Sequence, residues 1–301
     1  MTHTRNKTRT RTKRQSMRQS MRRALRRDVA STVGLLADDH DFAAMRRYRS
    51  FAFDDHPDYL HHVEGLLRGL SEQGGHTAVA LFDPEDFAAF CTERGLDPDS
   101  SASRGRYTAE VAAAGAAVAY TGQPIDDLVP LLVNLSVRHA TWQYATALLG
   151  DLGGCTDCGE DLGRSAFERA SQLLLALLAG AGPGTHHLVC SVPATEDQLL
   201  AVLHTTTRDA TAPAELDPTE GAEFTTVLAV GIALGSPGGV VLRTSAPDAP
   251  DRLHGWRLHH GRLVPLTEGE VFSAYCTDAD TGEPLSPEPG VQYCAGFDLG
   301  D

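Results

Sequence analysis

Helical apolar faces alternate with short apolar runs along the first half of this chain, and this alternation most restricts its fold. Apolar residues recur at helical spacing from Leu60 to Leu70, and Gly74 with Gly75 ends that pattern. The run Thr-Ala-Val-Ala-Leu-Phe follows, which is typical of a buried strand. The predicted elements are a helix near 42–48, a helix over 57–70, a strand over 77–82, helices over 83–94 and 106–114, a strand over 117–120 and a helix over 125–150 that breaks at Pro130. This order predicts an α/β unit with a parallel sheet.

The second half has shorter and more mixed patterns, and a glycine and proline cluster at 180–184 is the best candidate for a domain boundary. The predicted elements around and beyond it are a helix over 165–181, a strand over 187–192, helices over 195–203 and 220–234, a strand over 240–243, a hairpin of 256–259 with 262–265, and a helix over 267–275. We therefore predict an α/β (or α+β) fold. Its N-terminal parallel-sheet α/β domain over 28–182 precedes a smaller α+β domain over 183–301 with a C-terminal hairpin, and the second domain can pack on the first as one unit.

A basic arm precedes this body. Residues 1–27 hold 11 of the 26 Lys and Arg and no acid, which leaves 15 arginines against 40 Asp and Glu in the rest of the chain. Repulsion and a lack of apolar residues predict a disordered arm, with a short amphipathic helix from Ser16 onward. Two interpretations stay open. The first is an arm that binds nucleic acid or an acidic surface, and the second is a solvated tail or a natural chain that starts at Met17 or Met21.

Charge and apolar run lengths also restrict the location and the partners. The acidic body repels nucleic acid and anionic membranes, so any nucleic-acid contact is expected only through residues 1–27. No apolar run approaches the roughly 20 residues that a membrane span needs, and no secretory signal is recognisable. Six cysteines do not form a disulfide scaffold, so we expect a cytoplasmic protein with reduced thiols.

Cys155 and Cys158 form the first candidate site. Two cysteines at this spacing can hold one side of a zinc ion, but a structural site needs two more ligands from elsewhere in the chain. The acidic neighbours Asp157, Glu160 and Asp161 disfavour a thiolate, so redox catalysis is not expected. Zinc is therefore the possible cofactor, and ordinary loop cysteines are the alternative.

Asp58 and His62 form the second candidate site. If a helix begins near Pro57, these side chains lie four residues apart on one face and can bind a divalent metal for hydrolysis. The segment matches no established ligand motif. Acidic residues at a helix start are also explained by the helix dipole.

Asp83, Arg104 and Arg106 form the third candidate, a ligand-binding site at the sheet edge. Asp83 directly follows the apolar run, and ligands of open α/β sheets bind outside the carboxyl ends of strands. The two arginines precede a predicted helix in a serine-rich segment that suits a phosphate or carboxylate. The alternatives are an ordinary N-cap for Asp83 and surface ion pairs for the arginines.

Three functional hypotheses follow. The leading one is a non-enzymatic regulatory or protein-interaction module, which docks on a basic partner or self-associates, because glycine-rich phosphate loops and nucleophile motifs are absent from the sequence. The second is an enzyme that acts on a small anionic substrate at the sheet edge. The third is a nucleic-acid-binding protein that uses the basic arm and a structural zinc site.

Overall fold

The computed structural model describes residues 31–155, 159–194, 198–209, 214–278 and 281–300. The predicted arm over 1–27 lies outside these ranges. The chain divides into two compact units, residues 1–139 and 140–301. Helices and strands are mixed in both, so the α/β or α+β class is confirmed.

The first unit contains three strands and the helices around them. Its elements are β1 (Ser31–Leu35), α1 (Asp39–Met45), α2 (His56–Glu72), β2 (Thr77–Leu81), α3 (Pro84–Arg94), α4 (Ser101–Ala113) and β3 (Ala117–Ala119), and α5 (Ile125–Asp151) begins here and ends in the second unit. The predicted break at Pro130 is wrong, because α5 continues through this proline, which lies in its second turn. The strand order is β1-β2-β3, with β2 in the centre.

The parallel pair of this sheet is β1 with β2. Ser31 N–H donates to the carbonyl oxygen of His76, and Phe82 N–H donates to that of Leu35. Alternate residues of a strand direct their backbone groups to opposite edges. The odd-numbered residues of β1 therefore pair with β2, and the even-numbered ones point to the open edge of the sheet.

The two strands that the sequence predicts here, β2 and β3, pair antiparallel, and the parallel partner is β1, which the sequence analysis did not predict. Ala117 at the start of β3 pairs with Ala80 near the end of β2. Two helices, α3 and α4, connect β2 to β3 and bring the chain back to the end of β2. The third strand therefore runs in the reverse direction.

Local capping sets where these helices begin. The Asp55 carboxylate accepts the N–H of Asp58, and the Asp83 carboxylate accepts those of Glu85 and Asp86. In both helices a proline occupies the first turn, where its missing N–H has no consequence. The helix starts near Pro57 and after Asp83 are confirmed.

The second unit is built on one large sheet. Its elements are α6 (Leu162–Ala181), β4 (Gly184–Pro193), β5 (Gln198–Thr207), β6 (Glu215–Leu216), α7 (Pro218–Leu234), β7 (Gly238–Ser245), β8 (Asp251–His259), β9 (Arg262–Pro265), α8 (Glu268–Tyr275) and β10 (Val291–Cys294). The strand order is β10-β8-β7-β4-β5-β6, and β9 pairs with β8. The helices α6 and α7 bury their apolar residues against the inner face of the sheet.

The predicted helix over 195–203 is wrong over the described residues 198–203, which belong to β5. Leu199, Ala201 and Leu203 are buried and their neighbours are more exposed, so burial follows the period of two of a strand. β5 pairs along its whole length with β4. This long-range pairing outweighs the local helical pattern. The predicted cap at Thr195 lies outside the described residues.

The C-terminal hairpin and the last helix are confirmed. His260 and Gly261 both have positive φ angles, 50° and 72°, which suits the tight turn between β8 and β9. Thr267 and Glu270 form the predicted capping box of α8.

The division between the units lies at 139/140, whereas the sequence predicts a boundary at 182/183. The helix α6 precedes the predicted boundary, yet its buried residues Ala170, Leu173 and Leu177 share one core with β4 and α7. The second unit is therefore the larger one over the described residues.

Candidate functional site

A cavity of about 290 Å³ lies in the first unit where β1 ends. Its walls come from β1, from the segment 45–59 that joins α1 to α2, from Phe82 after β2, and from α4. Open α/β sheets bind ligands outside the carboxyl ends of their strands. The part of the cavity beside Leu36 lies at the carboxyl end of β1, and Gly34 and Thr32 extend the cavity back along the strand.

The strand wall depends on a glycine. Thr32, Gly34 and Leu36 border the cavity, as alternate residues of one strand do. A Cβ atom on Gly34 would lie 2.8 Å from Thr108 Oγ1 and 2.9 Å from Phe82 Cδ2. The absence of a side chain at Gly34 therefore lets α4 and Phe82 lie directly against β1.

Two side chains of α2 cover the open edge of β1. Leu36 N–H donates to Tyr59 Oη at 3.1 Å, and that hydroxyl donates to the Gly34 carbonyl oxygen at 3.4 Å. His56 Nε2 donates to the Leu36 carbonyl oxygen at 3.1 Å. The end of this edge strand is thus hydrogen-bonded without a further strand.

Aromatic rings form the apolar wall. The ring centroids of Phe51 and Phe53 are 5.2 Å apart, and each lies within 5.7 Å of the Tyr59 ring. Leu36 and Met45 extend this wall with buried aliphatic side chains. Burial raises the pKa of Tyr59 to about 12, so its hydroxyl stays protonated at neutral pH.

A small polar network forms one side of the cavity. Arg104 Nη1 donates to Ser50 Oγ at 2.8 Å, and Ser50 Oγ donates to the Asp99 carbonyl oxygen at 2.6 Å. Ser50 N–H donates to the Asp99 carboxylate at 2.8 Å. The pKa of Asp99 is lowered, chiefly by that backbone hydrogen bond and further by the Arg104 charge. Ser50 and Arg104 border the cavity, whereas Asp99 contacts Ser50 and does not border the cavity.

The predicted sheet-edge residues are only partly brought together. Arg104 borders the cavity, but Asp83 and Arg106 do not. Asp83 uses its carboxylate as the cap of α3, and Arg106 is exposed on α4. The prediction that both arginines precede a helix is wrong, because the Ser100 side chain caps α4 at Ser101 and both arginines lie within it. A shared ligand for all three residues stays a prediction without support from this geometry.

An acidic cluster lies near the ends of β1 and β2. Asp38, His40 and Asp41 have potential metal-ligand atoms within 4.8 Å of one another. The pKa of Asp41 is raised by burial and by the charges of Asp38 and Asp83. Asp38 already accepts the N–H of Asp41 as the cap of α1, which accounts for an acid at this position.

The two predicted metal sites receive no further ligand from the described geometry. Asp58 and His62 are exposed on α2, and His62 Nδ1 donates to the backbone oxygen of Asp58 at 2.7 Å, not to its carboxylate. Cys155 is described and partly buried, whereas Cys158 lies outside the described residues. Metal binding at both places stays a prediction.

Most residues that border the cavity were not predicted from the sequence. Ser50, Phe51, Phe53 and Tyr59 carry no motif, and the segment 50–59 borders a cavity only because β1 and α4 pack beside it. The signal that was available is the run Ser-Thr-Val-Gly-Leu at 31–35, a short partly β-branched segment before a helix cap.

The first unit also contains the region that resembles a known family. Residues 20–123, about a third of the chain, match the profile of a domain of unknown function, DUF8829. Every residue that borders the cavity falls within this match. No curated protein and no solved structure matches the chain. Within the described part of the chain, no helix is long and apolar enough to cross a membrane.

Proposed function

We propose that the first unit is a regulatory ligand-binding module that takes up a small, mainly apolar molecule. The observation that carries this proposal is the cavity at the end of β1, whose volume of about 290 Å³ is at the lower limit for small-molecule sites. Its walls combine aromatic and aliphatic side chains with the polar side chains of Thr32, Ser50, Arg104 and Thr108, and such sites use polar groups to fix the orientation of a ligand.

The chemistry of the walls supports binding over catalysis. Among the residues that border the cavity, Tyr59 and Arg104 are the titratable ones. The raised pKa of Tyr59 keeps its proton bound at neutral pH, and a guanidinium does not deprotonate in proteins. Neither group can exchange a proton readily near pH 7, as a general acid or base must.

The other functional hypotheses remain proposals that draw on charge and sequence and not on the geometry of the cavity. Docking on a basic partner and self-association draw support from the acidic balance of the chain. Nucleic-acid binding through residues 1–27, a zinc site at Cys155 and a cytoplasmic location draw on sequence alone.

Filling the cavity tests the proposed function. Gly105 borders the cavity within α4, and a Cβ atom built there meets open space. Gly105→Leu therefore adds a side chain at the cavity and favours the helix. Gly65→Leu is the matched control, because Gly65 also lies in an exposed part of a helix with open space around it.

The probe is 1-naphthylmethanol, titrated into the full-length chain by isothermal calorimetry. We expect saturable binding to the wild-type protein and to Gly65→Leu, and an affinity at least about tenfold lower for Gly105→Leu. Equal affinities for the two variants would contradict the proposal.

A further inference from the structure

We infer that the ligand of this cavity is an aromatic carboxylic acid of about two fused rings, with its carboxylate on Arg104 and its rings among Phe51, Phe53 and Tyr59. This inference rests on the proposed function, since it names the ligand class of the same cavity. Size, wall chemistry and charge each point to this class.

The volume of the cavity sets the size of the ligand. A buried apolar cavity of roughly 150 Å³ holds one benzene molecule. The cavity at the end of β1 has about 290 Å³, nearly twice that volume. A two-ring body fits this space, whereas a single ring would leave part of it without contacts.

The three aromatic side chains favour a flat aromatic body. The Phe53 and Tyr59 rings meet edge to face, with an interplanar angle of 80°, and the Phe51 ring is tilted against both. Such an arrangement presents both ring faces and ring edges. Aromatic ligands gain from offset or edge-to-face contacts beyond the apolar area that they bury.

Arg104 supplies the group that recognises an anion. A planar guanidinium has five N–H donors and pairs with a carboxylate through two parallel hydrogen bonds. The bond to Ser50 Oγ fixes this side chain beside the cavity, and the Thr108 hydroxyl donates to the Arg104 carbonyl oxygen at 3.0 Å. Ser50 and Thr108 also border the cavity, and the Ser50 hydroxyl contacts the guanidinium directly.

The charge next to Arg104 selects a singly charged acid. The Asp99 carboxylate interacts electrostatically with Arg104, and its lowered pKa keeps it ionised. Part of the positive charge is therefore already balanced. A carboxylate monoanion suits the remaining charge better than a phosphate dianion, because the Asp99 carboxylate repels a dianion more strongly than a monoanion.

Three probes with the same two-ring body separate these points. They are 1-naphthoate, neutral 1-naphthylmethanol and 1-naphthyl phosphate. Each is titrated calorimetrically into the full-length protein at about pH 7.5, where a carboxylic acid is ionised. The variants are Arg104→Gln and the control Arg106→Gln, which removes an exposed arginine from the same helix that does not border the cavity.

We expect the affinity for 1-naphthoate to be at least about tenfold higher than that for the alcohol, because only the acid forms a charge-assisted hydrogen bond with Arg104. Arg104→Gln removes this preference, and Arg106→Gln retains it. Equal affinities of acid and alcohol in the wild-type protein would overturn the inference and leave the proposed function intact. Tighter binding of the phosphate would overturn the choice of a carboxylate, and a lack of binding by all three probes would contradict both proposals.

Discussion

The hydroxyl of Tyr59 accepts a hydrogen bond from the backbone N–H of Leu36, at 3.1 Å and across 23 residues of sequence. The same hydroxyl donates to Gly34 at 3.4 Å, so one side chain of α2 serves both a donor and an acceptor on the open edge of β1. Exposed strand edges invite pairing with other chains, and side-chain contacts of this kind protect them.

Tyr59→Phe is expected to lower the free energy of unfolding by about 1–3 kcal/mol, because it leaves the N–H of Leu36 buried without this acceptor. Urea unfolding followed by circular dichroism measures the change. Tyr48→Phe is the control, since Tyr48 contributes ring packing against Phe87 in the same unit and should change stability by less than about 0.5 kcal/mol. Equal effects of the two variants would show that the hydroxyl of Tyr59 has no special role.

Gly34→Ala is expected to destabilise the first unit by about 1–3 kcal/mol, because the new methyl group lies too close to Thr108 and Phe82. Combining it with Thr108→Ala should restore part of the loss, since one of the two close contacts is then removed. Thermal unfolding by circular dichroism reports both values. The packing argument is wrong if the double variant is as unstable as the sum of the single variants.

The second unit is expected to lose stability on acidification. His186 is fully buried, and burial lowers its pKa below the ordinary value of 6.5. His186 therefore binds a proton more readily in the unfolded chain than in the folded one. Its contribution to the free energy of unfolding is complete above about pH 6.5 and is lost as pH falls through the folded-state pKa.

The check is a series of urea unfolding curves between about pH 7.5 and 4.5, a range that spans the histidine titration. His186→Gln should flatten the decline but not abolish it, because burial and the neighbouring His204 also lower the pKa of His187. His260→Asn is the matched control, because it removes an exposed histidine from a turn that tolerates asparagine at positive φ. If the stability of His186→Gln falls with pH as steeply as that of the wild-type protein, His186 is not the source of the pH dependence.

Phe297→Ala is expected to destabilise the second unit by about 2 kcal/mol, less than a fully buried phenylalanine would, because this ring is only partly buried. The Phe297 ring packs edge to face on Trp256 at 4.8 Å, so the fluorescence of Trp256 should shift to the red in a Trp142→Phe background. Leu200→Ala, on an exposed face of β5, is the control with an expected change within about 0.5 kcal/mol. An unchanged midpoint and emission for Phe297→Ala would contradict this packing.

Local chemistry accounts for what the sequence predicts correctly. Asp83 caps α3 through N–H groups two and three residues away, and the turn at His260 and Gly261 needs only the φ angles of those residues. Neither depends on the rest of the fold. By contrast, residues 198–203 have a helical pattern but form a strand, because they pair with β4. No local signal reveals this pairing.

The sequence by itself determined the mixed fold class, the helix starts near Pro57, after Asp83 and after Thr267, and the C-terminal hairpin. The helix starts and the hairpin follow from a few adjacent residues. Only the tertiary structure decided the direction of β3, the strand β1 and the cavity. Ser50 and Arg104 are 54 residues apart, yet they share a hydrogen bond beside the cavity. Such contacts form only when the packing of α4 against β1 brings distant segments together, so they follow from the shape of the buried core and not from the spacing of residues along the chain.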